Sequence, residues 1–268
     1  FHLMCDATNR HAVETLRTRK HREEKPFAVM VPDGTAARAL AQVGDLELEL
    51  LHAAAAPIVL LPRREGAELA DAVAPGNPNL GLLLPYAPLH HLLLHDFGRP
   101  VVATSGNRSD EPICTDEREA LQRLHGLADA FLVHNRPIAR PLDDSIVRVM
   151  AGKPCVLRRA RGYAPLPIPL SFESAPILAL GAHLKNTVAL AHGRQIVMSQ
   201  HIGDLDALEA RDAYEQAVDD VQALREVRPA VWVVDRHPDY ASSLYARERG
   251  HDVIAVQHHH AHVAACMA

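Results

Sequence analysis

The sequence predicts an α/β protein with two domains. Short runs rich in Val, Ile and Leu alternate with longer segments in which apolar residues recur every three or four positions, the patterns of buried strands and amphipathic helices. A segment with four prolines between positions 165 and 176 interrupts this alternation. Because such a segment can continue neither a helix nor a central strand, we predict a stiff linker over 165–176 between domains at 1–164 and 177–268.

The first predicted domain alternates helices with strands. The elements, in order, are a helix over 9–20, a strand over 27–31, a helix near 45–56, a strand over 58–62, a helix near 88–96, a strand over 100–105, a helix near 116–126, a strand over 130–134, and a hairpin formed by 145–150 and 154–159. Asn9 and Asp116 stand where side-chain N-caps of the first and last helices are expected. These signals predict a mixed α/β first domain.

The second predicted domain has a different order of elements. Three short strands, 177–181, 187–193 and 195–200, precede an amphipathic helix over 206–227. The predicted inner face of this helix contains Leu208, Tyr214, Ala217, Val218, Val221 and Leu224. The elements after it are a strand over 230–235, a helix over 239–249, a strand over 253–256 and the start of a final helix. This order is typical of one half of a ribonuclease-H-like, actin-type (ASKHA) domain.

Composition argues against several classes of protein. The net charge of −5 argues against a general nucleic-acid coat or a membrane-surface protein, and no apolar run approaches the roughly 20 residues of a membrane span. The four cysteines form no CxxC pair, which excludes a zinc ribbon within the chain and indicates a reduced, cytoplasmic compartment. Because the sequence begins at Phe1 and shows no signal peptide, we expect it to be a fragment.

Five basic residues lie between the first helix and the next strand: Arg17, Arg19, Lys20, Arg22 and Lys25. Cations at the C-terminal end of a helix suit the helix dipole and are common on solvated helix ends. The Lys20-x-Arg22 spacing, however, projects two cations into one turn, and Lys25 directly precedes a proline and an apolar strand. The cluster therefore indicates either a solvated helix end or a polyphosphate site.

A second polar group ends the strand over 100–105. Thr104, Ser105, Gly106 and Asn107 supply two hydroxyls, an amide and a flexible glycine at the carboxyl end of a buried strand. Hydroxyl and backbone donors in this arrangement can bind phosphate or adenylate oxygens. Such a turn is common on its own, so the prediction depends on its combination with the basic cluster.

Together these segments resemble the YrdC family over residues 1 to about 164. The family's KxR and SxN signatures correspond to Lys20, Arg22, Ser105 and Asn107, and "DDSIVR" and "VLRRARG" follow in the family's order. The resemblance implies that Lys20 and Arg22 are catalytic and that a carbamoyl or carbamate group is activated as a mixed anhydride with AMP, using ATP and Mg²⁺. The implied substrate and nucleotide contacts are Lys25, Thr104, Ser105, Asn107, Ser145 and Arg158.

Histidines are concentrated near the end of the chain. His258 and His262, within "HHHAH", are spaced i, i+4, so that on a helix both rings lie on one face, as in many metal sites. A polar helix start is the alternative. A metal would need further ligands, which we expect beyond Ala268. Upstream, the turn at 185–187 is either ordinary turn chemistry or, as in actin-type folds, a phosphate contact.

The order of the two domains, with "GAHLKNTVAL", "SQHIGDLD" and "VQHHHAHVAA", resembles the HypF family of carbamoyltransferases of [NiFe]-hydrogenase maturation. The related TsaD-type tRNA-modifying enzymes have Glu where this sequence has His260, which favours the HypF family. The resemblance implies a divalent metal, Fe or Zn, and acylphosphatase-like and zinc-finger domains before Phe1. The implied contacts are Lys185, Asn186 and Thr187 with nucleotide, and His258 and His262 with the metal.

The implied activity is the conversion of carbamoyl phosphate and ATP to carbamoyl-adenylate and pyrophosphate, followed by transfer of the carbamoyl group to the C-terminal cysteine of the partner HypE. Three alternatives stay open. The chain could be a threonylcarbamoyl-adenylate synthase for tRNA modification, which would use threonine and bicarbonate. It could be a nucleotide- or RNA-binding module that depends on the basic 17–25 cluster, or a folded but inert fragment.

Overall fold

The computed structural model describes residues 1–108, 111–250 and 252–267. These residues form two units, the first ending at Gly162 and the second beginning at Tyr163, apart from a short segment that ends at Pro112. Both units combine helices with strands, so the predicted α/β class is confirmed. Within the described ranges, no helix is both long enough and apolar enough to span a membrane.

A seven-stranded sheet lies at the centre of the first unit. Its strands are His2–Asp6 (β1), Ala28–Met30 (β2), Ile58–Pro62 (β3), Asn79–Leu83 (β4), Val101–Ser105 (β5), Ile146–Met150 (β6) and Lys153–Arg158 (β7). They are ordered β1-β5-β2-β4-β3-β6-β7. The β2–β4 and β3–β6 pairs are parallel, and the other neighbouring pairs are antiparallel. Because β5 is antiparallel to β1, its last residue lies beside the start of β1, where His2 pairs with Ser105.

Three of the five α-helices described in the first unit begin at side-chain caps. The five helices are Arg10–Arg19 (α1), Gly34–Leu40 (α2), Asp45–His52 (α3), Pro88–Phe97 (α4) and Glu117–Arg123 (α5). Asn9 and Asp116 accept hydrogen bonds from the first turns of α1 and α5, as predicted. Helix α2 was not predicted, although Asp33 caps it through a 2.8 Å bond from the Ala36 N–H.

The central strands of this sheet are buried on both faces. Leu82 and Leu83 of β4 point to opposite faces, and both are inaccessible to solvent. On one face, Leu83 packs with Met30, Val101 and Leu94. This packing holds β5 in a rigid layer, which fixes the polar loop at its carboxyl end.

The second unit is built on a four-stranded sheet. Its strands are Ile168–Ala179 (β8), Ala189–Met198 (β9), Val231–Asp235 (β10) and Asp252–Val256 (β11), and its helices are Leu208–Arg225 (α6), Ala241–Glu248 (α7) and His258–Met267 (α8). The strand order is β11-β10-β8-β9, with β10 parallel to both neighbours. Parallel strands share a carboxyl edge, and there Asp235 ends β10 while α8 follows β11.

The predicted linker over 165–176 is wrong from Ile168 onward, where β8 begins. β8 pairs with β9 from Ile168 to Ala179, but β10 joins it only at Ile177–Ala179. Pro169 and Pro176 precede that stretch, so their part of β8 has β9 as its paired neighbour. Proline is tolerated on such an edge because no ladder hydrogen bond is required there.

Further local predictions are wrong. The predicted strands 187–193 and 195–200 are replaced by the single strand β9, in which Gly193 has φ +61 and lies at a register shift rather than a turn. Residues 130–134 form no strand, and Leu132 is 63% exposed. In α6, Leu208 and Leu224 are exposed, whereas the other four predicted inner-face residues are buried.

Candidate functional site

Lys20 connects the basic segment with the loop after β5. It is the C-cap of α1, is only 4% exposed, and donates from Nζ to the Ser105 carbonyl, to the Asn107 carbonyl (2.9 Å) and to Asn107 Oδ1 (2.8 Å). The Ser105 hydroxyl donates to the same Oδ1 atom at 2.6 Å. Three residues predicted from two separate motifs therefore form one hydrogen-bonded group.

The Lys20 ammonium lies among other cations. Burial, followed by the charge of Arg22, lowers the pKa of Lys20 to about 8, and Lys25 acts in the same direction while Asp143 opposes it. A buried cation with cationic neighbours is stabilised when an anion binds beside it. The electrostatics of this loop therefore favour an anionic ligand such as a phosphate.

Arg22 links the basic segment to the end of β5. Its Nη1 atom donates to Thr104 Oγ1 at 3.2 Å, and its Nε atom donates to the Lys25 carbonyl at 3.0 Å. Burial, then Arg17 and Arg158, lowers the pKa of Arg22 to about 10. Arg158, at the end of β7, therefore belongs to the same electrostatic neighbourhood, although it is more than 130 residues away in sequence.

Arg17 has a role that its sequence context did not reveal. It is 8% exposed, and its guanidinium donates to the carbonyls of Arg22 (2.8 Å), Glu23 (3.1 Å) and Lys25 (3.3 Å) and to two carbonyls at 72–73. It therefore organises the backbone that carries Arg22 and Lys25. The reading of the cluster as a solvated helix end is wrong for Arg17 and Lys20, and burial of these two cations also weakens the RNA-binding alternative.

Ser145 joins two segments of the first unit by hydrogen bonds. It is fully buried, its hydroxyl donates to the Arg161 carbonyl at 2.9 Å, and it accepts from the Ala160 N–H at 2.8 Å. Its oxygen thus ties the segment before β6 to the segment after β7. These bonds position the chain on either side of the β6–β7 hairpin, and the contact of Ser145 with a nucleotide stays a prediction.

A charged and aromatic network lies beside Ser145. The Arg161 guanidinium pairs with Asp144 Oδ1 at 2.8 Å and lies 3.4 Å from the centre of the Tyr86 ring, while His2 Nε2 is 3.3 Å from the Tyr86 hydroxyl. Burial opposes ionisation of Asp144, but His2 and Arg161 outweigh it and lower its pKa to about 2. His2, Tyr86 and His90 also line a cavity of about 1150 Å³. Sequence reasoning missed this network because its members are far apart in the chain.

The turn between β8 and β9 holds the three residues predicted to contact nucleotide in the second domain. Asn186 is buried, and its amide donates to the carbonyls of Leu180 (2.9 Å) and Ala182. Lys185 is exposed, with a left-handed φ of 49°, and Thr187 is half-buried. Asn186 therefore shapes the turn, and Lys185 and Thr187 are the members better placed to meet a ligand.

His258 and His262 face each other on α8, as their spacing predicts. Their Nε2 atoms are 3.1 Å apart, and His258 Nδ1 lies 2.6 Å from Asp235 Oδ2. Two nitrogens bound to one metal at about 2.0–2.1 Å lie about 2.9–3.4 Å apart for angles between octahedral and tetrahedral values. The donor pair therefore fits two ligands of a divalent metal.

The pair does not form a complete metal site on its own. Among residues 1–108, 111–250 and 252–267, no group of three or more His, Cys, Asp or Glu side chains is arranged to hold a metal ion. Asp235 meets His258 through Nδ1, on the opposite side of the ring from the Nε2 atom that faces His262.

Two family models and several known proteins match this chain. The Sua5/YciO/YrdC family model, described as "Telomere recombination", matches residues 1–160, and the model of the HypF Kae1-like domain matches residues 172–268. The carbamoyltransferase HypF of Synechocystis sp. is 51% identical over 269 residues, which cover 100% of this chain and 35% of that protein.

Solved structures of HypF proteins are also similar to this chain. A crystal structure of full-length HypF in the phosphate- and nucleotide-bound form is 45% identical with a TM-score of 0.95, and HypF from T. kodakarensis is 36% identical with a TM-score of 0.93. Each match covers 100% of this chain and 36% of the other, so the chain spans about a third of the length of these relatives. The chain therefore belongs to the Sua5/YciO/YrdC family, joined to a HypF Kae1-like domain as in the HypF carbamoyltransferases.

Proposed function

We propose that this chain is the part of an ATP-dependent carbamoyltransferase in which a carbamoyl group is activated as its adenylate. The observation that supports this most strongly is the cation-rich group of Lys20, Arg22, Ser105 and Asn107, in a chain similar over its whole length to proteins named as carbamoyltransferases. Family membership supports a transferase.

The activation step begins with carbamate, which forms with phosphate when carbamoyl phosphate is hydrolysed. We assign that hydrolysis to an acylphosphatase-like domain outside the chain. A carbamate oxygen attacks the α-phosphorus of ATP, the bond from that phosphorus to the bridging oxygen breaks, and pyrophosphate leaves. Lys20, Arg22 and Arg158 offset the charge that develops on the phosphoryl oxygens, while Lys25, Thr104, Ser105 and Asn107 hold the nucleotide. Mg²⁺ bound with ATP would add to this charge compensation.

In the second domain, the carbamoyl group passes to the C-terminal cysteine thiol of HypE. The bond between the carbamoyl carbon and the adenylate oxygen breaks, a carbon–sulfur bond forms, and the thiol proton is released with AMP. Lys185 and Thr187 contact the nucleotide, and His258 and His262 would hold a divalent Fe or Zn ion together with further ligands. When bound, the metal supplies Lewis-acid polarisation. The cytoplasm is the proposed compartment.

The test is pyrophosphate–ATP exchange by full-length protein supplied with carbamoyl phosphate, run in parallel with threonine plus bicarbonate. Exchange that requires carbamoyl phosphate supports the proposal. Exchange only with threonine and bicarbonate would identify a threonylcarbamoyl-adenylate synthase instead. A folded protein that catalyses neither exchange would contradict adenylation altogether.

A further inference from the structure

Asp235 is a buried carboxylate directed at one of the two paired histidines. Its side chain is 8% exposed, whereas that of His258 is 54% exposed, and their Oδ2 and Nδ1 atoms are 2.6 Å apart. The carboxylate is held in place, because its Oδ1 accepts from the His237 N–H at 2.9 Å and the Asp235 carbonyl accepts from the Ser243 hydroxyl at 2.8 Å.

This contact fixes the tautomer of His258. An ionised carboxylate only accepts hydrogen bonds, so the hydrogen must be on Nδ1 of His258. In the neutral ring, Nε2 then carries a lone pair, and that atom faces His262 Nε2 at 3.1 Å. This lone pair can accept a hydrogen bond from His262 Nε2 or, when a cation lies between the two rings, bind that cation.

We propose that Asp235 is a positioning residue for the metal: it orients His258 and holds it in the Nδ1–H tautomer. This inference depends on the proposed metal at His258 and His262. Asp235 approaches the far side of the imidazole and is not itself a ligand. A carboxylate behind a ligating histidine makes the ring nitrogen more basic, and loss of such a partner typically weakens metal affinity by about 10–100-fold.

The replacement Asp235→Asn is the informative one. An amide can donate to Nδ1 through its NH₂ group, which would move the ring hydrogen to Nε2 and block the metal-facing nitrogen. Asp235→Glu keeps the carboxylate and serves as the conservative rescue. Asp239→Asn, an exposed residue on the loop that follows β10, is the matched control.

The experiment is a Co²⁺ titration of full-length protein, followed by the visible ligand-field absorption and by calorimetry, with each signal taken as the difference from a His258→Gln/His262→Gln double variant so that metal bound at the expected zinc-finger domains cancels. We expect Asp235→Asn to weaken Co²⁺ binding by about 10–100-fold, Asp235→Glu to recover part of the loss, and Asp239→Asn to remain within about twofold of wild type. Circular dichroism of each variant checks that the protein remains folded.

The His258→Gln and His262→Gln variants separate failure of this inference from failure of the metal proposal. If neither variant affects Co²⁺ binding, or wild type binds no Co²⁺, the metal proposal fails and the inference fails with it. If both strongly weaken binding while Asp235→Asn binds normally, the metal proposal stands and the role of Asp235 is refuted. A positioning role also requires that Asp235→Asn has no further effect on the residual affinity of His258→Gln. An equal loss in that background would mark Asp235 as merely structural and overturn the inference.

Discussion

Buried cations are the feature that distinguishes the first domain at the scale of single residues. The ammonium of Lys20 and the guanidinium of Arg17 both point inward and donate to backbone carbonyl oxygens. Each leaves a positive charge in a region of reduced solvation, which favours binding of an anion nearby. The sequence predicted Lys20 and Arg22 because their spacing is a motif. It did not predict the role of Arg17, since burial of one cation in a run of five depends on tertiary packing.

The lowered pKa of Lys20 predicts a pH dependence for nucleotide binding. Below about pH 8 the ammonium is protonated and attracts phosphate, and above that value it loses its proton, so ATP affinity should fall as the pH rises from 7.5 to 9.5. Lys20→Met should bind ATP more weakly at low pH and lose this dependence. Titration calorimetry across the pH range measures both effects.

The control for this prediction is Lys153→Met, which removes an exposed lysine of the β6–β7 hairpin and should leave the profile unchanged. An ATP affinity that is flat from pH 7.5 to 9.5 in wild-type protein would contradict the assignment of Lys20 as the titrating group.

Arg17→Lys should disturb the loop that carries Arg22 and Lys25. Lysine keeps the charge but has a single nitrogen, which cannot replace a guanidinium that donates to five carbonyls. We expect ATP affinity to fall by about tenfold and the free energy of unfolding to fall by about 1–3 kcal/mol, because buried carbonyls lose their partners. Calorimetry and urea denaturation test the two effects.

The control for Arg17→Lys is the same substitution at Arg19, Arg19→Lys. Arg19 pairs with the exposed Asp129 at 2.8 Å, and a surface pair of this kind contributes about 0–1 kcal/mol. If both variants behave like wild type, Arg17 does not organise the loop.

At the scale of secondary-structure elements, apolar patterns predicted which segments form helices and strands. They predicted less well which residues of a helix are buried and which strands pair. The pattern of α6 was correct for Tyr214 and Val218, which are buried against the sheet, but Leu208 and Leu224 lie at the helix ends and are exposed. The apolar run at 130–134 was predicted to be a strand but forms none, because an apolar composition does not show whether a neighbouring strand is available for pairing. Prolines in β8 looked like a linker because the sequence does not reveal which part of a strand lies on an edge.

Two substitutions in α6 compare a buried position with an exposed one. Val218→Ala removes two methyl groups from a fully buried site in the apolar core of the second unit, which also contains Leu190 and Trp232. It should lower the free energy of unfolding by about 1–2.5 kcal/mol. Leu224→Ala, at a 56% exposed position of the same helix, should change it by less than about 0.5 kcal/mol. If urea denaturation shows the same loss of unfolding free energy for both variants, the assignment of the buried face of α6 is contradicted.

At the scale of the whole molecule, the sequence was sufficient for the motifs but not for the residues that support them. Lys20, Ser105 and Asn107 were predicted from local patterns, and the structure joins them by hydrogen bonds. Asp144 and Asp235 were not predicted as partners of His2 and His258, because each pair brings together residues distant in sequence. Such partners become visible only when strands from separate parts of the chain are aligned in a sheet.

The most direct test of carbamoyl activation in the first domain is the rate of carbamoyl phosphate-dependent pyrophosphate exchange by full-length Lys20→Met protein, compared with Arg19→Met. Because Lys20 is proposed to face developing phosphoryl charge, we expect its replacement to reduce exchange by about 10²–10³-fold while Arg19→Met stays within about twofold of wild type. A folded Lys20→Met protein that exchanges at the wild-type rate would contradict the proposed site.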